Sequence, residues 1–337
     1  MNKFNKVFGK DKNKNASFWV PDSIKEAMNK TVKDAKDNED FSFDNIIHLA
    51  EMKRAIKNFV QILTNKNIPV NYLTNSNESF TDGKSVYISG EIDKDLDFDR
   101  TVGLALHEAS HIVLSETHKL KDINFGKDSR AIFDTVSDTD KAFKNHIKKT
   151  ENSTYSKEKI NPEMYAPYLK DLHNWVEDRR VDAYIQKDSP GYVGYYEAFY
   201  ETYFNNPKIA EMMDNPESRK PTFANYYFHV ISLISRYSQE NALVGLKEIK
   251  ELVNLNNILR LKSSADSYEV ATKIFELILR NIDLTLQKQK EKEARKMAEA
   301  MKKLQDMADN NQKGKMKSMP QNGLDGNFDD KPEDNKD

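Results

Sequence analysis

The stretch His107-Glu108-Ala109-Ser110-His111 decides how this sequence is read. On a helix, residues four apart lie on one face. His107 and His111 can therefore turn two imidazoles toward one cation. Glu108, beside the first histidine, reaches a water on that cation rather than the cation itself. This is the HExxH spacing, with two zinc ligands and a general base. The flanks suit a buried helix: Leu104, Ala105 and Leu106 precede the second histidine, and Ile112, Val113 and Leu114 follow it. Ala109 and Ser110 are small and uncharged, so no competing charge sits between the ligands. With seven histidines in 337 residues, such a match arises by chance in roughly one chain in a hundred.

A catalytic zinc takes three protein ligands and keeps a fourth position open. The chain has no cysteine, so the third ligand must be His, Asp or Glu. An extended three-histidine motif needs Gly at 114 and His at 117, where this chain has Leu114 and Thr117; His118 is one residue out of register. His146 and His173 are further candidates. The better source is the segment Leu172-His173-Asn174-Trp175-Val176-Glu177-Asp178-Arg179-Arg180-Val181-Asp182. Glu177 sits among Trp175, Val176 and Val181, where a carboxylate needs a partner, and it is the expected third ligand. Asp178 is the alternative, because Asp178 and Asp182, four apart, reproduce a ligand and an orienting acid. His173 is expected beside the ligands or on the substrate side. The competing reading of this segment is a solvated helix face of paired charges.

Outward from the motif, the pattern predicts a mainly helical α+β fold. An amphipathic helix is expected from about Asp44 to Thr64, and strands at Val70–Leu73 and Ser85–Ser89 around the turn signal Asp82-Gly83. These strands predict a small antiparallel sheet beside the motif helix of residues 100–116. Residues 117–160 read as an excursion with one or two short helices. The second key helix should start after Pro167 and stop at Asp188-Ser189-Pro190-Gly191. The aromatic segment Tyr192–Phe204 is expected to pack on the site helices, with helices following at about 222–238, 241–254 and 266–285. The expected organisation is a flexible arm at 1–17 and a metallopeptidase-like domain at 18–285. A charged helix at 286–309 and a disordered polar tail at 310–337 complete it. A helix start is also legible at Pro21-Asp22-Ser23.

Composition narrows the function. Apolar residues make up 38% and charged residues 31%, and the net charge is only −2; this gives no electrostatic case for nucleic-acid binding. No window is apolar enough to span a membrane. The start of the chain lacks a signal-peptide pattern, so a cytoplasmic protein is expected. Lysine outnumbers arginine and asparagine is abundant, a composition associated with low-GC bacteria and their phages.

Together the two segments resemble the zincin metallopeptidases on their Glu-ligand, gluzincin-like side. The nearer resemblance is to bacterial and phage families described as cobaltochelatase CobT-like and VWA-associated metallopeptidases. There an HExxH helix is followed by an Asn-x-x-Glu-Asp-x-Arg-x-acid helix, matched here by Asn174 to Asp182. The resemblance spans about residues 68–205 and implies a zincin-like domain, a peptide or protein substrate, and a VWA-domain or AAA+ protein as partner. The pattern continues from an acidic linker into a VWA module, whereas this sequence reaches an acidic, linker-like tail at Asp337; the module is expected to be separate, lost, or part of a longer chain. The expected function is zinc-dependent peptide hydrolysis, with Zn²⁺ on His107, His111 and Glu177, and Glu108 as general base. The strand at Val86–Ser89 could pair with the peptide. Tyr192, Tyr195, Tyr196 or His173 could steady the oxyanion, although aromatic packing is the usual work of such tyrosines. The alternative is a zinc-binding scaffold or regulator that cleaves nothing. A structural zinc site has no need of Glu108.

Overall fold

A computed structural model of the chain describes residues 43–73, 79–89, 98–116, 122–152 and 159–316. The arm at 1–17, the helix start at Pro21, His118 and residues 317–337 lie outside the described residues. The architecture is mainly helical with one small sheet. Among the described residues no helix is long and apolar enough to cross a membrane.

The elements run α1 (Phe43–Thr64), β1 (Val70–Leu73), β2 (Phe80–Thr81), β3 (Val86–Ser89) and α2 (Phe98–Leu114). Then come α3 (Phe125–Thr139), α4 (Lys141–Glu151), α5 (Ala166–Asp188), α6 (Val193–Phe204), α7 (Pro207–Asp214) and α8 (Phe223–Ile231). The last are α9 (Leu246–Val253), α10 (Ser264–Asn281) and α11 (Leu284–Met316). The described residues up to Gln287 form one compact unit.

Most expected elements are present, with several corrections. The sheet is mixed, not antiparallel: its order is β1-β3-β2, with β3 parallel to β1 and antiparallel to β2. The Asp82-Gly83 turn makes the hairpin, with Gly83 at φ +84° and the Asp82 carboxylate accepting the Lys84 and Ser85 amides at 2.8 Å. The returning strand then inserts between its predecessors. Because β3 pairs on both sides, it has no free edge for a peptide; the sheet edges are β1 and β2. The helix expected at 222–238 ends at Ile231 and passes into a 3-10 turn. That expected from 241 begins only after Gly245, at φ +85°. α10 starts at a capping box of Ser263 and Asp266. The charged helix runs past Asp309 to Met316.

Two apolar cores meet at α2 and α5. One gathers Ile56 and Val60 of α1, Val86 and Ile88 of β3, Leu104 and Leu106 of α2, and Phe199 of α6. The other gathers Phe133, Trp175, Phe223, Ile249 and Phe275 from α3, α5, α8, α9 and α10. All ten residues from Thr101 to Ser110 are buried, so α2 runs through the interior. Gly103 permits this, because a Cβ there would lie 2.3 Å from the Tyr195 carbonyl oxygen of α6.

Candidate metal centre

α5 is also buried nearly all round, from Trp175 through Asp182 without a break. Its charges therefore cannot be a solvated face, and each needs a partner inside. Pro167 sets its first turn, and the chain leaves through Ser189 and Pro190. α2 and α5 run antiparallel, as their cross-contacts show. His107 meets Asp182, His111 meets Asp178, and Ser115 meets Glu177.

Three ligand atoms converge between the helices. His111 Nε2 lies 3.3 Å from His107 Nε2 and 3.2 Å from Asp178 Oδ1. His107 Nε2 lies 3.8 Å from the same oxygen. Metal bonds of 2.0–2.1 Å at tetrahedral angles place ligand atoms about 3.4 Å apart, close to this triangle. Among the described residues, His107, His111 and Asp178 thus form a buried group that could hold a metal ion.

Hydrogen bonds on the far side of each ring support that reading. His107 Nδ1 lies 2.7 Å from Asp182 Oδ1, and a carboxylate can only accept, so Nδ1 carries the proton. The Ser115 hydroxyl donates to Glu177 Oε1 at 2.6 Å and therefore accepts from His111 Nδ1, 2.9 Å away. Both rings are left with an Nε2 lone pair facing a carboxylate oxygen. Three electron pairs packed this closely suit a positive charge between them, a metal ion or a proton. Asp178 Oδ2 is buried without a partner, as suits a carboxylate whose other ligand is outside the protein chain.

The electrostatics agree. Burial works against a charge on His107, yet Asp182, Asp178 and Glu108 outweigh it and push its pKa up to about 9 in the metal-free molecule. Without a cation these carboxylates favour a proton on His107. Burial pushes Glu108 up to about 7, with His107 and His111 pulling the other way. That value is near the optimum for exchanging protons at neutral pH. Burial would also raise Asp182, but His107, Arg179 and Tyr200 hold it below the usual carboxylate range. Arg179 Nη2 lies 3.2 Å from Asp182 Oδ2, and the Tyr200 hydroxyl donates to that same oxygen.

Glu177 is placed elsewhere. The structure does not bring it into the group of His107, His111 and Asp178. Its carboxylate accepts from Arg180 Nε at 2.8 Å and Nη2 at 2.6 Å, from Ser115 at 2.6 Å, and from Ser264 at 2.7 Å. Burial alone would raise its pKa, but these donors bring it down to about 2. The reason is angular: Glu177 and Asp178 are 100° apart on the helix. Only the Asp178 side faces both histidines, while Glu177 faces Arg180, the end of α2 and the start of α10. The buried carboxylate did need a partner, and that partner is an arginine.

The other sequence candidates sort readily. His173 lies beside Phe125 and Tyr268 at ring distances of 6.2 and 5.4 Å, and burial keeps it neutral, its pKa lowered. His146 Nε2 accepts the Leu284 amide at 3.0 Å, joining α4 to α11. Tyr192 and Tyr195 pack on Phe59 at 6.1 and 5.2 Å. Tyr196 is fully buried with its hydroxyl 3.4 Å from Ser110 Oγ. Sequence reasoning missed Ser115, Ser264 and Tyr200. Ser115 carried a signal, since it follows His111 by one helical turn; Ser264 and Tyr200 reach the site only through the fold.

No protein-family model, curated protein or solved structure matches this chain.

Proposed function

We propose that this protein is a zinc-dependent hydrolase of peptide bonds, of the zincin-like kind its two motif helices resemble. The observation that carries the reading is the convergence of the His107, His111 and Asp178 lone pairs, with Glu108 one residue from the first ligand. Two imidazoles and one carboxylate suit zinc in a catalytic rather than a closed structural site. The cation would polarise a carbonyl and acidify a water at the open position. His107, His111 and Asp178 would hold the ion, and Asp182 and Ser115 fix the tautomers of the two rings. Glu108 takes a proton from the attacking water as its oxygen bonds to the carbonyl carbon. It returns that proton to the amine nitrogen as the carbon–nitrogen bond breaks. A peptide adding to the sheet would have to use β1 or β2.

The test is metal analysis of purified protein, followed by peptide cleavage with Glu108→Gln. The variant should retain stoichiometric zinc and lose cleavage by about 10²–10⁴-fold. Full cleavage by Glu108→Gln would overturn the mechanism. Zinc bound tightly, with no cleavage of any peptide by wild type, would favour the scaffold reading, in which the charged helix α11 docks a VWA or AAA+ partner.

A further inference from the structure

Beside the metal group lies a set of polar atoms that the protein itself leaves unpaired. Asp178 Oδ2, Asn174 Nδ2 and the Tyr227 hydroxyl are all buried without a hydrogen-bond partner. Asn174 precedes Asp178 by one turn, so the two share a face of α5. Tyr227 belongs to α8, which packs on α5, and its hydroxyl is within electrostatic reach of Asp171, Asp178 and Arg179. Asn174 and Asp178 therefore lie along one side of the helix, starting at the metal group, and Tyr227 stands on the helix packed against it. As whole residues, Asn174, Tyr227 and His111 are only partly buried. The His173 Nε2 atom is also unpaired; its ring stands one turn before Glu177 on the same face, against Phe125 and Tyr268.

Natural proteins pair nearly all buried polar atoms, and the exceptions call for an occupant. Asn174 and Tyr227 offer hydrogen-bond donors, whereas Asp178 and Glu108 are acceptors when ionised. A group that completes the site must therefore present an electron-rich oxygen to Asn174 and Tyr227. We propose that Asn174 Nδ2 and the Tyr227 hydroxyl hold the substrate's carbonyl oxygen as it becomes tetrahedral and negatively charged. This rests on the hydrolytic reading above. Donors already aimed at the place where charge develops need no reorganisation during the reaction. Donors to which the chain gives no partner of its own cost stability, a usual exchange of stability for activity at a functional site.

The test uses the full metal-loaded chain, wild type beside Tyr227→Phe and Asn174→Ala. Two probes separate the roles: acetohydroxamate, a planar metal chelator, and a dipeptide phosphonate, whose tetrahedral oxyanion mimics the reacting carbon. Wild type should bind both only when loaded with metal. Each variant should keep its metal and its hydroxamate affinity, and bind the phosphonate about 10–100-fold more weakly. Their melting temperatures should equal or exceed wild type, since no partner is lost. Phosphonate affinity within about twofold of wild type in both variants would overturn the proposal and leave these atoms as water sites. Lowered melting temperature with metal loss would overturn it in favour of a structural role. Wild type lacking metal-dependent binding of either probe would overturn the hydrolytic reading first, and this inference with it.

Discussion

Glu177 and Asp178 are neighbours in the chain, yet their carboxylates serve different networks. Asp178 Oδ1 lies 3.2 Å from His111 Nε2, whereas Glu177 binds Arg180 through both its oxygens. Ser115 touches both networks, accepting from His111 and donating to Glu177. The metal group is thus braced through one serine against a buried ion pair.

That arrangement separates the two acids experimentally. Asp178→Ala should abolish stoichiometric metal binding while leaving the Arg180 pair in place. Glu177→Gln should keep the metal in the folded fraction. It should lower stability by about 3–5 kcal/mol, because the Arg180 charge stays buried. Metal analysis and chemical denaturation of the two variants check this. Metal lost from Glu177→Gln and kept by Asp178→Ala would reverse the assignment.

Asp182 holds the His107 ring without belonging to the ligand group. Asp182→Asn should retain the metal with an affinity about 10–100-fold weaker. Competition against a chelator of known affinity measures the change. An unchanged affinity would mean that the Asp182 charge does not tune the ring.

Metal binding should depend on pH through His107. Burial lowers its pKa, but Asp182, Asp178 and Glu108 more than offset this and set it at about 9 without metal. Below that value the folded, metal-free site carries a proton that the cation must displace. Apparent affinity should therefore rise with pH, about tenfold per unit, and level off near pH 9. Calorimetry in buffers of different ionisation enthalpy would count the released proton. A pH-independent affinity between 6 and 8 would contradict this sign.

Gly103 sets how closely α2 approaches α6. Helix propensity alone says Gly103→Ala should stabilise by about 1 kcal/mol. The structure says the reverse, because the new Cβ would meet the Tyr195 carbonyl at 2.3 Å. The variant should lose about 1–3 kcal/mol and bind metal more weakly, since α2 carries both histidines. Thermal melting with and without metal checks both effects.

Most helices and their order could be read from apolar periodicity and from the stop signal at Asp188 to Gly191, because those depend on neighbours in sequence; the bounds around Ile231 and Gly245 could not. His107, His111 and Glu108 were legible for the same reason, since a helix turns fixed spacing into fixed geometry. Spacing offered Asp178 with Asp182, one turn apart, only as the alternative to Glu177. Spacing along the chain did not decide which acid completes the group. That choice depends on the rotation of α5 about its own axis against α2, which the packing of two cores on α5 sets. The sheet order and the partners Arg180, Ser264 and Tyr200 were likewise decided by tertiary contacts between distant segments. The sequence by itself determined that a metal-type motif exists on a buried helix. The tertiary structure decided that Asp178 stands with the histidines and Glu177 with Arg180, because residues adjacent on a helix face directions 100° apart.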